Sequence, residues 1–396
     1  MSKANFWERL PFSPKLWLLF YLLMALAVSL QLYYLRGNSV LHGIESTPYN
    51  NYLIFKQSFW HLLEHKDLYD WYPKETADLF KYSPFFALLM APWAFLPTPI
   101  GLALWNMLNV GIFFWGIRQI RLPKGSAHFF MAFVFMELVS STQNSQTNAL
   151  IAGLLLAGLA LLRREQIFWA LGALWLTVYI KLFGIVALML FFSTPKKGKF
   201  IIYSVFWVLF YSLSPALYMG LDELWWQYQN WGRMLAEDHG ISYGFSLMGI
   251  LHSWFGFGDD IKKPVLLVGV LLMLLPLLRW KSFYQPRFAP LLLAAIMVWV
   301  IIFNHRAESA TFIIAISAAA LWYLRSALPK KLRLSLLLFC FVFSSLSPTD
   351  IFPAFIRNQF IIPYCIKALG FVILYVVLLY ELLFLLPKNQ ATNSQN

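Results

Sequence analysis

Charge is scarce in this chain. Asp, Glu, Lys and Arg make up 12% of it, against roughly 25% in an average soluble domain, so an ordinary water-facing surface is excluded over most of the fold. Cysteine is scarcer still: Cys340 and Cys365 both fall in apolar stretches, and two buried thiols make no disulfide framework. No zinc-ligand spacing, glycine-rich nucleotide loop or Ser-His-Asp arrangement occurs, so usual ATP binding is not expected, nor is a metal or other cofactor. Acids are fewer than bases, 18 against 31, for a net charge of +13. In a soluble protein that balance would suggest nucleic acid. Here Lys and Arg are better read as holding cytoplasmic loops, and no nucleic-acid partner is expected.

Apolar residues, 60% of the chain, fill the space that charge leaves. A membrane span needs about 20 of them, fewer when neighbours protect the helix. Candidate spans are 16–35, 100–117, 127–140, 147–162, 167–180, 183–194, 200–218, 264–279, 289–303, 309–325, 333–347 and 361–386. The first is too long for a signal-peptide core, has no small-residue cleavage site after it, and reads as a retained span. With the N-terminus in the cytoplasm, the inside turns collect Lys3, Arg9, Lys15, Arg118, Arg121, Lys124, Arg163, Arg164, Lys196, Lys197, Lys199, Arg279, Lys281, Arg287, Arg325, Lys330, Lys331, Arg333 and Lys388. The opposite side collects nearly all the acids, from Glu45, Asp67, Asp70 and Asp78 to Glu237, Asp238, Glu308 and Asp350, leaving Glu8 and Glu165 inside. This sorting predicts an all-α polytopic membrane protein of about twelve helices, both termini cytoplasmic. It also predicts one domain over 1–396, with an outer loop at 36–99 and a polar tail at 388–396.

Two proline- or glycine-bounded apolar pieces, 83–97 and 245–256, are too short to cross and are expected as outer interfacial or re-entrant segments. In the long loop, Tyr52, Phe55, Phe59, Leu62 and Leu63 recur at helical spacing, with Asn51, Lys56, Gln57, His61, Glu64 and His65 around them. That pattern predicts an amphipathic helix lying in the membrane interface, started by Pro48 and Asn50 or Asn51; a plain surface anchor would look the same.

Polar residues at membrane depth are functional candidates. They gather in four places: the run Ser140–Asn148, the lone Lys181, the segment Asn304–Ser309, and the loop 220–243 with Asp222, Glu223, Arg233, Glu237, Asp238 and His239. All four open to the same outer face. Each has a bland counterpart: a capped hairpin, a snorkelling lysine, an Arg306–Glu308 bridge, a solvated loop.

The stretch YNNYLIFKQSFWHLLEHKDLYDWYP with FKYSPFFALLMAPWAFLP resembles the first outer loop of glycosyltransferase family 87. TQNSQTNALIAGLLLAGLALLRR, LGALWLTVYIKLFGIVALMLFF, YGFSLMGIL and NHRAES resemble later segments of that family, so the likeness runs from about residue 45 to 325. It implies a polytopic C-type glycosyltransferase fold in the bacterial inner membrane. It further implies transfer of a hexose, mannose by the family's habit, from a polyprenyl-phosphate donor to a lipid or glycan acceptor among membrane lipids. In the family an Asp at the start of the outer-loop helix is the expected base; aligned on Leu68-Tyr69, this chain has Asn51 there. An amide cannot take that proton, so Glu45 or Asp78 is the expected replacement, with His305 and Glu308 behind them. Inverting transfer from a lipid phosphate needs one base and cations on the leaving group. Lys181 and Arg306 suit the phosphate, and Gln143, Asn144 and Asn148 the sugar hydroxyls. A transporter or flippase would also carry polar residues in its spans but should show internal repeats, which the sequence lacks; a non-catalytic membrane scaffold would fit Asn51.

Overall fold

Each of the twelve apolar segments contains helix in the computed structural model, which describes residues 6–41, 43–237 and 242–386. Lys3, Asp238, His239, Lys388 and the rest of the tail lie outside the described residues. Among the described residues, Pro14–Leu35, Thr98–Gln119, Asp259–Ser282 and Ile366–Leu385 are long and apolar enough to cross a membrane. The remaining apolar helices are shorter, among them Asn148–Leu162, Ile167–Ile180, Leu182–Ser193 and Phe288–Ile302. Their shortness has a physical reason. Every residue of Asn148–Leu162 and Phe288–Ile302 is buried, so neighbouring helices rather than lipid set their length. Asp259–Ser282, by contrast, buries only 17% of its apolar window and belongs to the periphery.

The central helices approach to backbone contact. A Cβ on Gly116 would lie 2.2 Å from the Gly153 carbonyl oxygen, and one on Gly153 would lie 2.5 Å from that of Ile112, the close crossing that small residues permit in apolar surroundings. Three charged residues that loop-by-loop sorting overlooks lie inside helices. Glu137 pairs with Lys367 at 2.9 Å, both almost fully buried. Glu381 accepts hydrogen bonds from Trp322 Nε1, Ser326 Oγ and the Ala327 amide at 2.6, 2.7 and 2.9 Å.

Two expectations for the outer side are corrected. The helix Asn50–Leu63 carries the predicted apolar face, but protein covers it. Phe55 meets Tyr82, Phe86 and Trp105 edge-on, Lys56 Nζ donates to the Leu96 carbonyl at 2.8 Å, and Tyr52 is fully buried. The stretch 220–243 is not a loop as far as Glu237. The helix Lys197–Leu213 turns through 90° into Ala216–Glu237 across Ser214 and Pro215, and Gly220 at φ 79° adds a further non-helical break inside the second helix. Beyond Gly220 the side chains fall into three sectors. Gln227, Asn230, Leu224 and Met234 are buried, Leu221 and Trp225 are exposed and apolar, and Asp222, Gln229 and Arg233 are exposed and polar. The short pieces 83–97 and 245–256 form the helices Pro84–Leu89, Ala91–Ala94 and Leu247–Phe255, the first and last capped by Ser83 and Ser246.

Candidate functional site

The polar run folds as a tight turn between Lys124–Gln143 and Asn148–Leu162. Ser145 takes the left-handed conformation at φ 49°. Its carbonyl accepts from Trp105 Nε1 at 2.9 Å and its hydroxyl from Asn106 Nδ2 at 3.3 Å, which pins the turn to Thr98–Gln119. The helix Ile167–Ile180 stops at Lys181, whose backbone is extended, before the chain re-enters a 3₁₀ helix at Leu182–Ser193. That interruption turns the lysine toward the polar turn. Lys181 Nζ donates to Asn148 Oδ1 at 2.8 Å, Asn148 Nδ2 donates to Gln146 Oε1 at 2.7 Å, and Gln146 Nε2 donates to Glu308 Oε2 at 2.7 Å. Two neutral amides thus connect a cation to a carboxylate with every donor facing the same way, so each bond polarises the next.

These groups border a cavity of about 290 Å³ lined by Asn51, Asp78, Gln146, Lys181, Arg306 and Glu308 among others, with Phe55, Tyr82 and Trp231 as aromatic walls. Its two carboxylates are Asp78 and Glu308. Asp78 Oδ1 accepts the Leu79 amide at 2.7 Å and lies 3.2 Å from Lys81 Nζ. Asn51 Nδ2 donates to the Asn144 carbonyl at 3.0 Å, a bond that an ionised carboxylate at that position could not make.

Ala216–Glu237 borders the cavity through Trp231 and Leu235, and its polar inner face holds the segment 65–68. Gln227 Nε2 donates to the Lys66 carbonyl at 2.7 Å and its Oε1 accepts the Leu68 amide at 3.1 Å. Asn230 Nδ2 donates to Asp67 Oδ2 at 2.7 Å, and His65 Nδ1 meets Glu223 Oε2 at 2.5 Å. Burial raises the Asp67 pKa above the ordinary aspartate value.

The site therefore gathers Asn51, Asp78, Lys181, Arg306 and Glu308 from the expected set. Glu45 does not join them. It is exposed on the small hairpin Ser39–Leu41/Ile44–Ser46, opposite Val40, and accepts from Asn38 Nδ2 at 2.8 Å; the strand pairing holds it away from the helix start. His305, Gln143 and Asn144 are not among the lining residues either. The His305 carbonyl accepts from Ser242 Oγ at 3.3 Å, and Asn144 is engaged through its carbonyl and through Nδ2 to Ser140 at 2.9 Å. Asn148 is fully buried one bond behind the wall, where it orients Lys181. Gln146 is the wall residue missed within the run; the side chains flanking Thr147 were the ones to pick, since the restarting helix turns them toward Lys181 and Glu308. Asn304, from the expected polar segment, also lines the cavity, and Lys81 is a further lining residue that was not anticipated.

The model of glycosyltransferase family 87 fits residues 80–348, about two thirds of the chain. The matched region holds Lys181, the polar turn and Arg306–Glu308; it starts just after Asp78 and leaves Asn51 outside. No curated protein matches.

Proposed function

The chain belongs to glycosyltransferase family 87 and is a membrane glycosyltransferase, and from that premise we propose that it transfers mannose from a polyprenyl-phosphate donor to a lipid or glycan acceptor at the outer face of the bacterial inner membrane. The observation that carries this reading is the single cavity in which Lys181 and Arg306 stand beside Asp78 and Glu308. Twelve crossings with both termini cytoplasmic, in one domain, fit the basic turns at the opposite end of the bundle.

Lys181 and Arg306 hold the donor phosphate. A groove of about 580 Å³ runs beside the 3₁₀ helix that follows Lys181, lined by Ile185, Leu188, Phe192, Val205 and Leu209, and takes the prenyl chain. Asp78 is the base. It withdraws the proton from an acceptor hydroxyl, the acceptor oxygen forms a bond to the anomeric carbon, and the carbon–oxygen bond to phosphate breaks. The departing electron pair goes to the phosphate oxygen, which the two cations stabilise, and the anomeric centre inverts. Glu308 orients Gln146 and, through Asn148, Lys181. Asp78 is preferred to Glu308 because Glu308 is already engaged in the amide relay to Lys181, the cation that meets the leaving group.

The test is transfer from radiolabelled polyprenyl-phosphate mannose to total lipid extract by the purified protein. Asp78→Asn should abolish transfer, and Glu308→Gln should slow it while raising KM for the donor. An inactive wild-type protein that gains transfer as Asn51→Asp would instead favour the second reading, a scaffold that lost its base at position 51. An active wild-type protein unaffected by Asp78→Asn would move the base to Glu308.

A further inference from the structure

A second charged cavity lies at the other end of the same helices. Asn148–Leu162 and Phe312–Arg325 each have one end near the site described above and their other end at a cavity of about 340 Å³. Arg121, Arg163, Arg164 and Arg325 line it, arriving from three separate turns, with Gln119 between them. No carboxylate is among its lining residues. The nearest acid in sequence, Glu165, takes a left-handed conformation and is paired to Lys196 instead.

Basic residues on cytoplasmic turns are ordinary, and arginine at a helix C-terminus is favoured by the exposed carbonyls. That explains Arg164, which donates to the side chain and the carbonyl of Gln119. Arg163 and Arg325 also stand at helix C-termini, but that does not explain why they border one cavity with no acid among its lining residues. Arg325 Nε is buried without a hydrogen-bond partner among the described residues. Four arginines border one small space, two of them exposed and two half-buried, and the positive potential they add there favours an anion. Burial, and then the neighbouring Arg121, draw the Arg164 pKa below the ordinary arginine value. The floor is apolar, with Leu159 and Leu321 buried beneath the arginines, so an occupant can be charged at one end and apolar at the other.

We propose that this cavity binds a phosphate group, that of an anionic phospholipid in the adjoining leaflet. Arginine's planar fork suits phosphate oxygens in pairs, and basic pockets between membrane helices take lipid headgroups in this way. The site is independent of the transfer reaction and of which sugar is moved.

Thermal unfolding of the full-length, delipidated protein in detergent tests it. Dioleoylphosphatidylglycerol should raise the melting temperature at a fixed mole ratio, and dioleoylphosphatidylcholine and inorganic phosphate at matched ionic strength should not. The double variant Arg163→Gln/Arg325→Gln should bind the anionic lipid roughly tenfold more weakly. Without lipid it should melt no lower than the parent, because it loses repulsion rather than a bond. Native mass spectrometry should show a retained anionic lipid on the parent and less on the variant. An equal response to both lipids, or an unchanged response in the variant, overturns the site. A full shift with inorganic phosphate alone overturns the lipid assignment in favour of a soluble phosphate.

Discussion

Lys181 meets one neutral amide, Asn148, at 2.8 Å, whereas Lys367 meets both oxygens of Glu137 at 2.9 and 3.2 Å and the Ser309 hydroxyl at 2.9 Å. An ammonium has three donors. Lys367 has used all of them inside a closed contact that also takes in Ser344, at 3.2 Å from Glu137. Lys181 has used one, and the others face a cavity. The difference separates two kinds of cation at membrane depth. A saturated pair joins helices, here Lys124–Gln143, Ile366–Tyr380 and the turn Ser309–Thr311 that follows Glu308. A partly satisfied cation is held ready for a ligand, with its counter-charge displaced onto Glu308 through two amides.

The largest effect should come from breaking the closed pair. Lys367→Met leaves Glu137 buried and uncompensated, and should lower stability by about 3–5 kcal/mol; denaturation in detergent should show it. Glu137→Leu/Lys367→Met together should recover most of that loss. A double variant as unstable as the single one would mean that the pair does more than balance its own charge.

Next is the open cation. Lys181→Gln should cost roughly 10²–10³-fold in kcat/KM, in line with removing one stabilising donor from a developing charge, with little change in melting temperature. If instead it unfolds the protein as Lys367→Met does, the contrast between the two lysines fails. The smallest effect belongs to the link between them and the acid. Gln146→Leu cuts the amide relay but leaves Lys181 and Glu308 in place, so a loss of about 1 kcal/mol, roughly fivefold in kcat/KM, is expected. A loss as large as that of Lys181→Gln would show that the relay, not the charge, sets the lysine's position.

The positions of the helices were legible because apolar runs report burial without regard to partner. The gathering of Lys181, Arg306, Glu308 and Asp78 followed from their falling on one face. Glu137, Lys367 and Glu381 were lost because charge sorting counts turns, and these three are paired or capped within helices. Asn50–Leu63 differs from its expectation in what covers its apolar face, and Ala216–Glu237 in being a helix where a loop was expected. Spacing reveals that a helix has an apolar face, not whether protein or lipid covers it. In Asn50–Leu63 the apolar face is turned inward; in the other helix Gln227 and Asn230 face inward and Trp225 faces out. Glu45 is close to the helix start in sequence, but a two-stranded hairpin too short to show in the sequence pattern holds it elsewhere.

The 3₁₀ helix Leu182–Ser193 has 12 residues, where runs beyond three or four are uncommon. At about 2.0 Å per residue it extends about 24 Å; as an α-helix the same residues would extend about 18 Å. The segment is thus a stretched spacer, and its length resides in its hydrogen-bond pattern rather than in its residue count. Its three-residue turn also stacks Leu182, Ile185, Leu188 and Phe191 in a straight ridge instead of a slowly winding one. Relaxing one turn to the wider α-helical winding would shorten the spacer and rotate the ridge at the same time, so the depth of Lys181 and the direction of the apolar track are a single mechanical variable.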